Sequence, residues 1–176
     1  MPRDTSGVAD AVAAAVSAAG RPVARVRAGD FLHPRSVRLE HGADDPDAGY
    51  ERWVDHQGLR REVLDPMGPG GALTWLPTLR DPLADRATRA LPVHAVPGTV
   101  VVVDGPFLLR WETADAFDLS VHLDVSPAAL GRRLPASDVT RVTGAWELYT
   151  SQTRPADRAD LVVRYDRPAH PAVALS

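Results

Sequence analysis

Lysine is missing from this chain. Its 176 residues carry 20 basic side chains, and every one is an arginine. Cysteine is absent as well, which excludes disulfides, thiolate nucleophiles and zinc–thiolate sites. Isoleucine and asparagine are also lacking, whereas Ala, Arg, Val, Pro and Asp are abundant. The pattern reads as the codon bias of a GC-rich genome. Such a bias replaces surface lysines easily but would not remove a lysine that a reaction needs. Strong charge of either sign is missing too, and a net charge of -3 argues against a general nucleic-acid binder. No apolar run approaches the roughly 20 residues of a membrane span. No basic segment followed by a hydrophobic stretch marks a signal peptide. The expectation is a cytoplasmic protein with neither nucleic acid nor membrane as a partner.

What is present reads as alternating helices and strands. A hydrophobic content of 44% fits a single globular domain over residues 1–176. Asp4, Thr5 and Ser6 can cap a helix over residues 8–19, with Val8, Val12 and Val16 as its apolar stripe and Gly20 as its stop. Residues 23–27 predict a short strand. Residues 56–64 predict a helix capped by Asp55, with Leu59 and Val63 facing inward, and residues 73–79 an exposed strand. The run over residues 99–105, four valines ending in Asp104-Gly105, predicts a strand buried on both faces of a parallel sheet. A second strand is expected over residues 119–125, followed by a helix opened by Ser126-Pro127. A helix over residues 138–149 with Val139, Val142, Trp146 and Tyr149 on one face, and a last strand over residues 159–165, complete an α/β layered pattern. The glycine-rich residues 67–71 follow a helix and not a strand, so they are not a phosphate loop.

Several segments, in order, resemble one family. Residues 21–34 (RPVARVRAGDFLHP), 50–59 (YERWVDHQGL), 64–71 (LDPMGPGG), 100–109 (VVVVDGPFLL), and Arg154-Pro155 with residues 158–163 resemble P-loop kinases of the uridine kinase and phosphoribulokinase type. The resemblance covers most of residues 21–166. It implies a three-layer, P-loop-kinase-like α/β fold: a parallel sheet flanked by helices. It also exposes two departures. Residues 2–8 stand in the place of the phosphate loop and lack G-x-x-x-x-G-K-[ST], so the first, central strand and the Walker A loop are expected to be missing or degenerate. Strands 100–103 and 121–125 would then flank a gap. Either the true start lies upstream, or the two strands close on each other, or the gap is filled by the N-terminal segment or by a partner chain, as in a homodimer. The second departure is at the family's Asp-x-Phe, where Gly29 takes the position of the Asp and Asp30 is its neighbour.

The resemblance also implies roles for individual residues. Asp30 is a substitute general base or a turn residue. Asp104 is a metal- or phosphate-site carboxylate or a turn residue before Gly105. Asp55 and His56 resemble a substrate-side pair that contacts sugar hydroxyls, with a helix N-cap as the plain reading, and His33 could line the same acceptor pocket or be an exposed polar loop residue. Arg132, Arg133 and Arg141 are candidates for a phosphate-neutralising lid, or belong to a solvated helix face. Trp146 and Tyr149 read as core aromatics, and Arg154 and Arg158 as structural. The implied activity is transfer of a phosphate from ATP, with magnesium (Mg2+), to a hydroxyl of a nucleoside or similar small molecule. It is expected to be impaired in a chain without lysine. The alternative is a non-catalytic or ATP-independent protein that binds a small polar ligand on the same scaffold and needs no cofactor.

Overall fold

The computed structural model describes residues 4–173. Along the chain run α1 (Asp4–Ala18), β1 (Val23–Arg27), α2 (Arg35–Arg38), a π-helical turn (Ala48–Arg52) and α3 (His56–Leu59). α3 runs on through a π-helical stretch (Arg60–Leu64) into α4 (Asp65–Met67). Then come the short strands β2 (Thr74–Trp75), β3 (Arg80–Asp81), β4 (Arg86–Ala87) and β5 (Val93–His94), and the longer β6 (Val100–Asp104). The chain closes with β7 (Val121–Asp124), α5 (Pro127–Arg132), α6 (Val139–Thr153), α7 (Pro155–Arg158), β8 (Leu161–Arg164) and β9 (Ala172–Val173). The fold is α/β, with parallel strand pairs and flanking helices. Its residues divide into two compact units interleaved in sequence, one of residues 4–34 and 54–108 and the other of residues 35–53 and 109–173.

In the first unit β1 and β6 pair in parallel, with Val23 opposite Val100 and Arg27 opposite Asp104. α1 packs across this pair. Its seating differs from the expected valine stripe: Ala9 is buried, while Val12 is 45% exposed. Small side chains let the helix lie close to the strands, so it needs no broad apolar face. The opposite face of β1 places Ala24 and Val26 in a core with Phe31, Val54, Leu59 and Val63. Leu59 and Val63 face inward as expected, but the helix runs past residue 64 through Met67. Residues 73–95 form a two-stranded antiparallel arm in which β2 pairs with β5 and β3 with β4. Between these ladders Thr88 N–H donates to the Leu79 carbonyl at 2.9 Å. The expected lone strand over residues 73–79 is therefore one side of this arm.

In the second unit β7 and β8 are parallel, and β9 joins β8 antiparallel. Two serine–aspartate clamps hold the register. Ser120 N–H and Oγ each donate to Asp160 at 2.7 Å, just before β7 and β8. Just after these strands, Ser126 N–H donates to Asp166 at 2.7 Å and its Oγ at 2.9 Å. These bonds hold the Asp160 and Asp166 carboxyls below the ordinary aspartate range. Ser126 also caps α5 by accepting from Ala129 N–H, and Pro127 opens the helix. α6 runs to Thr153, and its buried line is Arg141, Ala145, Tyr149 and Thr153, at four-residue spacing. The expected face through Val139, Val142 and Trp146 is only half-buried. Arg154 ends α6 in the left-handed region (φ 50°), and Pro155 prevents continuation.

The valine run of β6 is half-buried at every residue and not enclosed on both faces. β6 is paired with β1, and β7 with β8, in separate sheets. The expectation that the strands over residues 100–103 and 121–125 might close on each other is thereby corrected. Of residues 2–8, which stand in the place of the phosphate loop, residues 2 and 3 lie outside the described residues, and the chain is helical from Asp4.

Candidate functional site

Parallel strands in register finish at a common edge, and α/β proteins bind ligands beyond that carboxyl edge. In the first unit the last pair is Arg27 with Asp104, so the loops leaving β1 and β6 emerge side by side. They touch: a Cβ added to Gly105 would lie 2.4 Å from the Ala28 Cβ, and Ala28 is fully buried. After Ala28 the chain makes a single 3-10 turn to Asp30, and the buried Phe31 anchors it. The Asp30 carbonyl accepts from Leu79 N–H at 3.0 Å and from Thr78 Oγ1 at 3.2 Å. The Asp30 side chain is half-buried. Desolvation raises its carboxyl above the ordinary aspartate range; Arg27 opposes the shift and the negative charge of Asp104 adds to it.

Asp55 and His56 reach the same loops through main-chain contacts. Leu32 and Val54 form an isolated antiparallel bridge, and Asp55 N–H donates to the Phe31 carbonyl at 2.7 Å. Asp55 caps α3, its Oδ1 accepting from Gly58 N–H at 2.7 Å. His33 Nε2 stands 4.0 Å from the same Oδ1. His56 is buried, and its Nε2 lies 3.2 Å from the Pro106 carbonyl, in the loop after β6. Asp30, His33, Asp55, His56 and Asp104 are thus joined through three neighbouring loops of one unit. A carboxyl raised by burial, a carboxylate beside an imidazole and main-chain groups can together take up the hydroxyls of a small polar molecule.

The surroundings of Asp104 were not foreseen from the sequence. Its Oδ1 lies 2.5 Å from Arg25 Nη2, and its Oδ2 accepts from Ser6 Oγ at 3.0 Å. Arg25 is held in turn by Asp10 through Nε at 2.9 Å, and its Nη1 donates to the Val26 carbonyl at 2.7 Å. The signal lay in Val23-Ala-Arg-Val-Arg27. Residues 23, 25 and 27 share one face of β1, so an arginine there, covered by a helix, needs an acidic partner. The site does not fit a magnesium ion at Asp104: Oδ1 faces the Arg25 guanidinium, Oδ2 accepts from Ser6, and among the described residues no three His, Asp or Glu side chains are grouped to hold a metal.

The three candidate lid arginines belong to the second unit. Arg132 is exposed in the last turn of α5. Arg133 Nη2 donates to the Tyr165 carbonyl at 2.5 Å. Arg141 is buried, paired with Asp138 at 2.7 Å, and lies 3.5 Å above the Trp53 ring. Its guanidinium is built into the core of that unit. Trp146 and Tyr149 belong to an aromatic group there, Trp146 stacking on His122 at 5.6 Å.

No protein-family model and no curated protein matches this chain. Solved structures do. A candidate uridine kinase from Bacillus stearothermophilus is similar over 92% of this chain and 83% of its own, with 20% identity and a TM-score of 0.76. A candidate fructose transport system kinase from Silicibacter sp. TM1040 is similar over 90% of this chain and 81% of its own, with 22% identity and a TM-score of 0.61. At these identities the likeness is one of fold, and the chain shares the α/β fold of these two structures.

Proposed function

We propose that this chain binds a small polyhydroxylated molecule of the nucleoside or sugar class at the carboxyl edge of β1 and β6, and does not transfer phosphate efficiently. The observation that carries this reading is the joining of Asp30, His33, Asp55 and His56 through the Phe31, Val54 and Pro106 backbone. Each residue is a donor or acceptor suited to hydroxyls, and fixed main-chain contacts keep the loops in place. The two similar structures are a candidate uridine kinase and a candidate fructose transport system kinase, and uridine and fructose are both polyols. The absence of lysine removes the usual cationic contact to the phosphates of ATP.

Titration calorimetry with uridine and with fructose tests the proposal. Saturable binding of one of them is expected. Asp30→Asn should weaken it by roughly 10- to 100-fold, the range for a hydrogen bond to a charged group, and His33→Ala should weaken it less. No binding of either compound would defeat the reading.

A second reading, phosphate transfer from ATP to the ligand hydroxyl, is favoured by one observation. The raised Asp30 carboxyl is better suited to accept a hydroxyl proton than an ordinary aspartate. A coupled assay with ATP and magnesium is expected to show slow or no turnover. Turnover that disappears in Asp30→Asn would install this second reading in place of the first.

A further inference from the structure

We infer that Arg25 is a resident counter-ion that closes Asp104 to divalent cations, so that whatever binds at this edge does so without a metal on Asp104. The inference does not rest on the ligand reading above. It rests on the closeness and burial of the Arg25–Asp104 ion pair. The Asp104 side chain is 11% exposed and that of Arg25 19%, with 2.5 Å between the charged atoms. Register puts Arg25 opposite Val102, so Arg25 and Asp104 point to the same face of the strand pair. α1 covers that face and supplies Asp10 to the guanidinium and Ser6 to the carboxylate. Arg25 Nη1 donates to the Val26 and Val102 carbonyls, at 2.7 and 3.3 Å, and Nη2 is left facing the carboxylate as an ion pair.

A divalent ion has to replace this guanidinium at the carboxylate. Magnesium needs near-octahedral oxygen coordination and gives up its water reluctantly. Among the described residues Asp104 has no second and third ligating side chain grouped with it. Arg25, by contrast, is planar, permanently charged and already held in place on its other side by Asp10. Without Arg25, Asp104 would lose the positive charge that faces its Oδ1, and an external cation would then be drawn to it more strongly.

Manganese(II), whose free form is read directly by electron paramagnetic resonance, is the probe. The full chain is titrated as wild type, Arg25→Met, Asp104→Asn and the double variant. The wild type should bind manganese no better than Asp104→Asn does. Arg25→Met should gain one saturable site, roughly tenfold tighter or more by the loss of one like charge beside it, and the double variant should lose that site. Saturable wild-type binding that Asp104→Asn abolishes would overturn the inference, as would a folded Arg25→Met chain with no gain. Should Arg25→Met fail to fold, the wild-type and Asp104→Asn titrations decide alone: equal curves support the inference, and a loss in Asp104→Asn refutes it. Uridine and fructose binding is read separately, so either proposal can fail while the other stands.

Discussion

At the scale of the residue, Asp30 places stability and binding in opposition. Burial raises its folded-state carboxyl above the value of about 3.9 expected for an unfolded aspartate. A raised folded value means that the stabilising contribution is complete below the unfolded value and is lost as pH climbs through the folded one. At neutral pH the ionised side chain therefore works against folding. Asp30→Asn is expected to raise the melting temperature at pH 7 and to lose that advantage near pH 3, while binding ligand less well. A thermal melt at both pH values checks the sign; an equal or lower melting temperature at pH 7 would contradict it. The place of Asp30, just past a short strand, was legible in the sequence. The role of Arg25 was not legible there, since its partners Asp10 and Asp104 lie on two other elements.

At the scale of the element, the site depends on the close passage of the loops after β1 and β6. Gly105 permits it, as any Cβ would collide with that of Ala28 at 2.4 Å. Gly105→Ala is expected to destabilise the chain by about 1–3 kcal/mol through overpacking and to weaken ligand binding by shifting the Asp30 turn. Chemical denaturation and calorimetry read the two effects; an unchanged denaturation midpoint would show that the loops yield freely. Most elements were legible from local signals: Asp55 before α3, Ser126-Pro127 before α5 and the valines of β6 each announce themselves. The inner line of α6 was not. Val139, Val142 and Trp146 looked apolar enough to face inward, yet Arg141 is buried through Asp138 and Trp53. An arginine can occupy a core position when its charge is paired and its plane lies on an aromatic ring, and hydropathy alone does not register that.

At the scale of the whole molecule, the loss of stability at acid pH follows from groups of the second unit. Burial against Trp146 lowers the titration of His122 below the ordinary histidine range, with Asp124 opposing the shift. A depressed histidine leaves the fold most stable at neutral pH, and stability declines once pH drops below the unfolded value near about 6.5. The clamp residues Asp160 and Asp166, held low by Ser120 and Ser126, add a second decline below about pH 4. Urea midpoints from pH 7.5 to 3 are expected to fall in two stages, and His122→Phe should remove the upper one. Retention of the upper stage in that variant would assign it to another group. No described helix is long and apolar enough to cross a membrane.

By itself, the sequence determined the α/β alternation, the capped helices, the valine strand and a basic complement made of arginine alone. Each of these is local, expressed in periodicity, in turn chemistry or in composition. Tertiary structure alone decided that β6 and β7 lie in separate sheets, that Asp104 is neutralised by Arg25, and that Arg141 belongs to a core. Those outcomes depend on which distant charges and strand edges come within a few ångströms of one another, and a linear pattern carries no such distances.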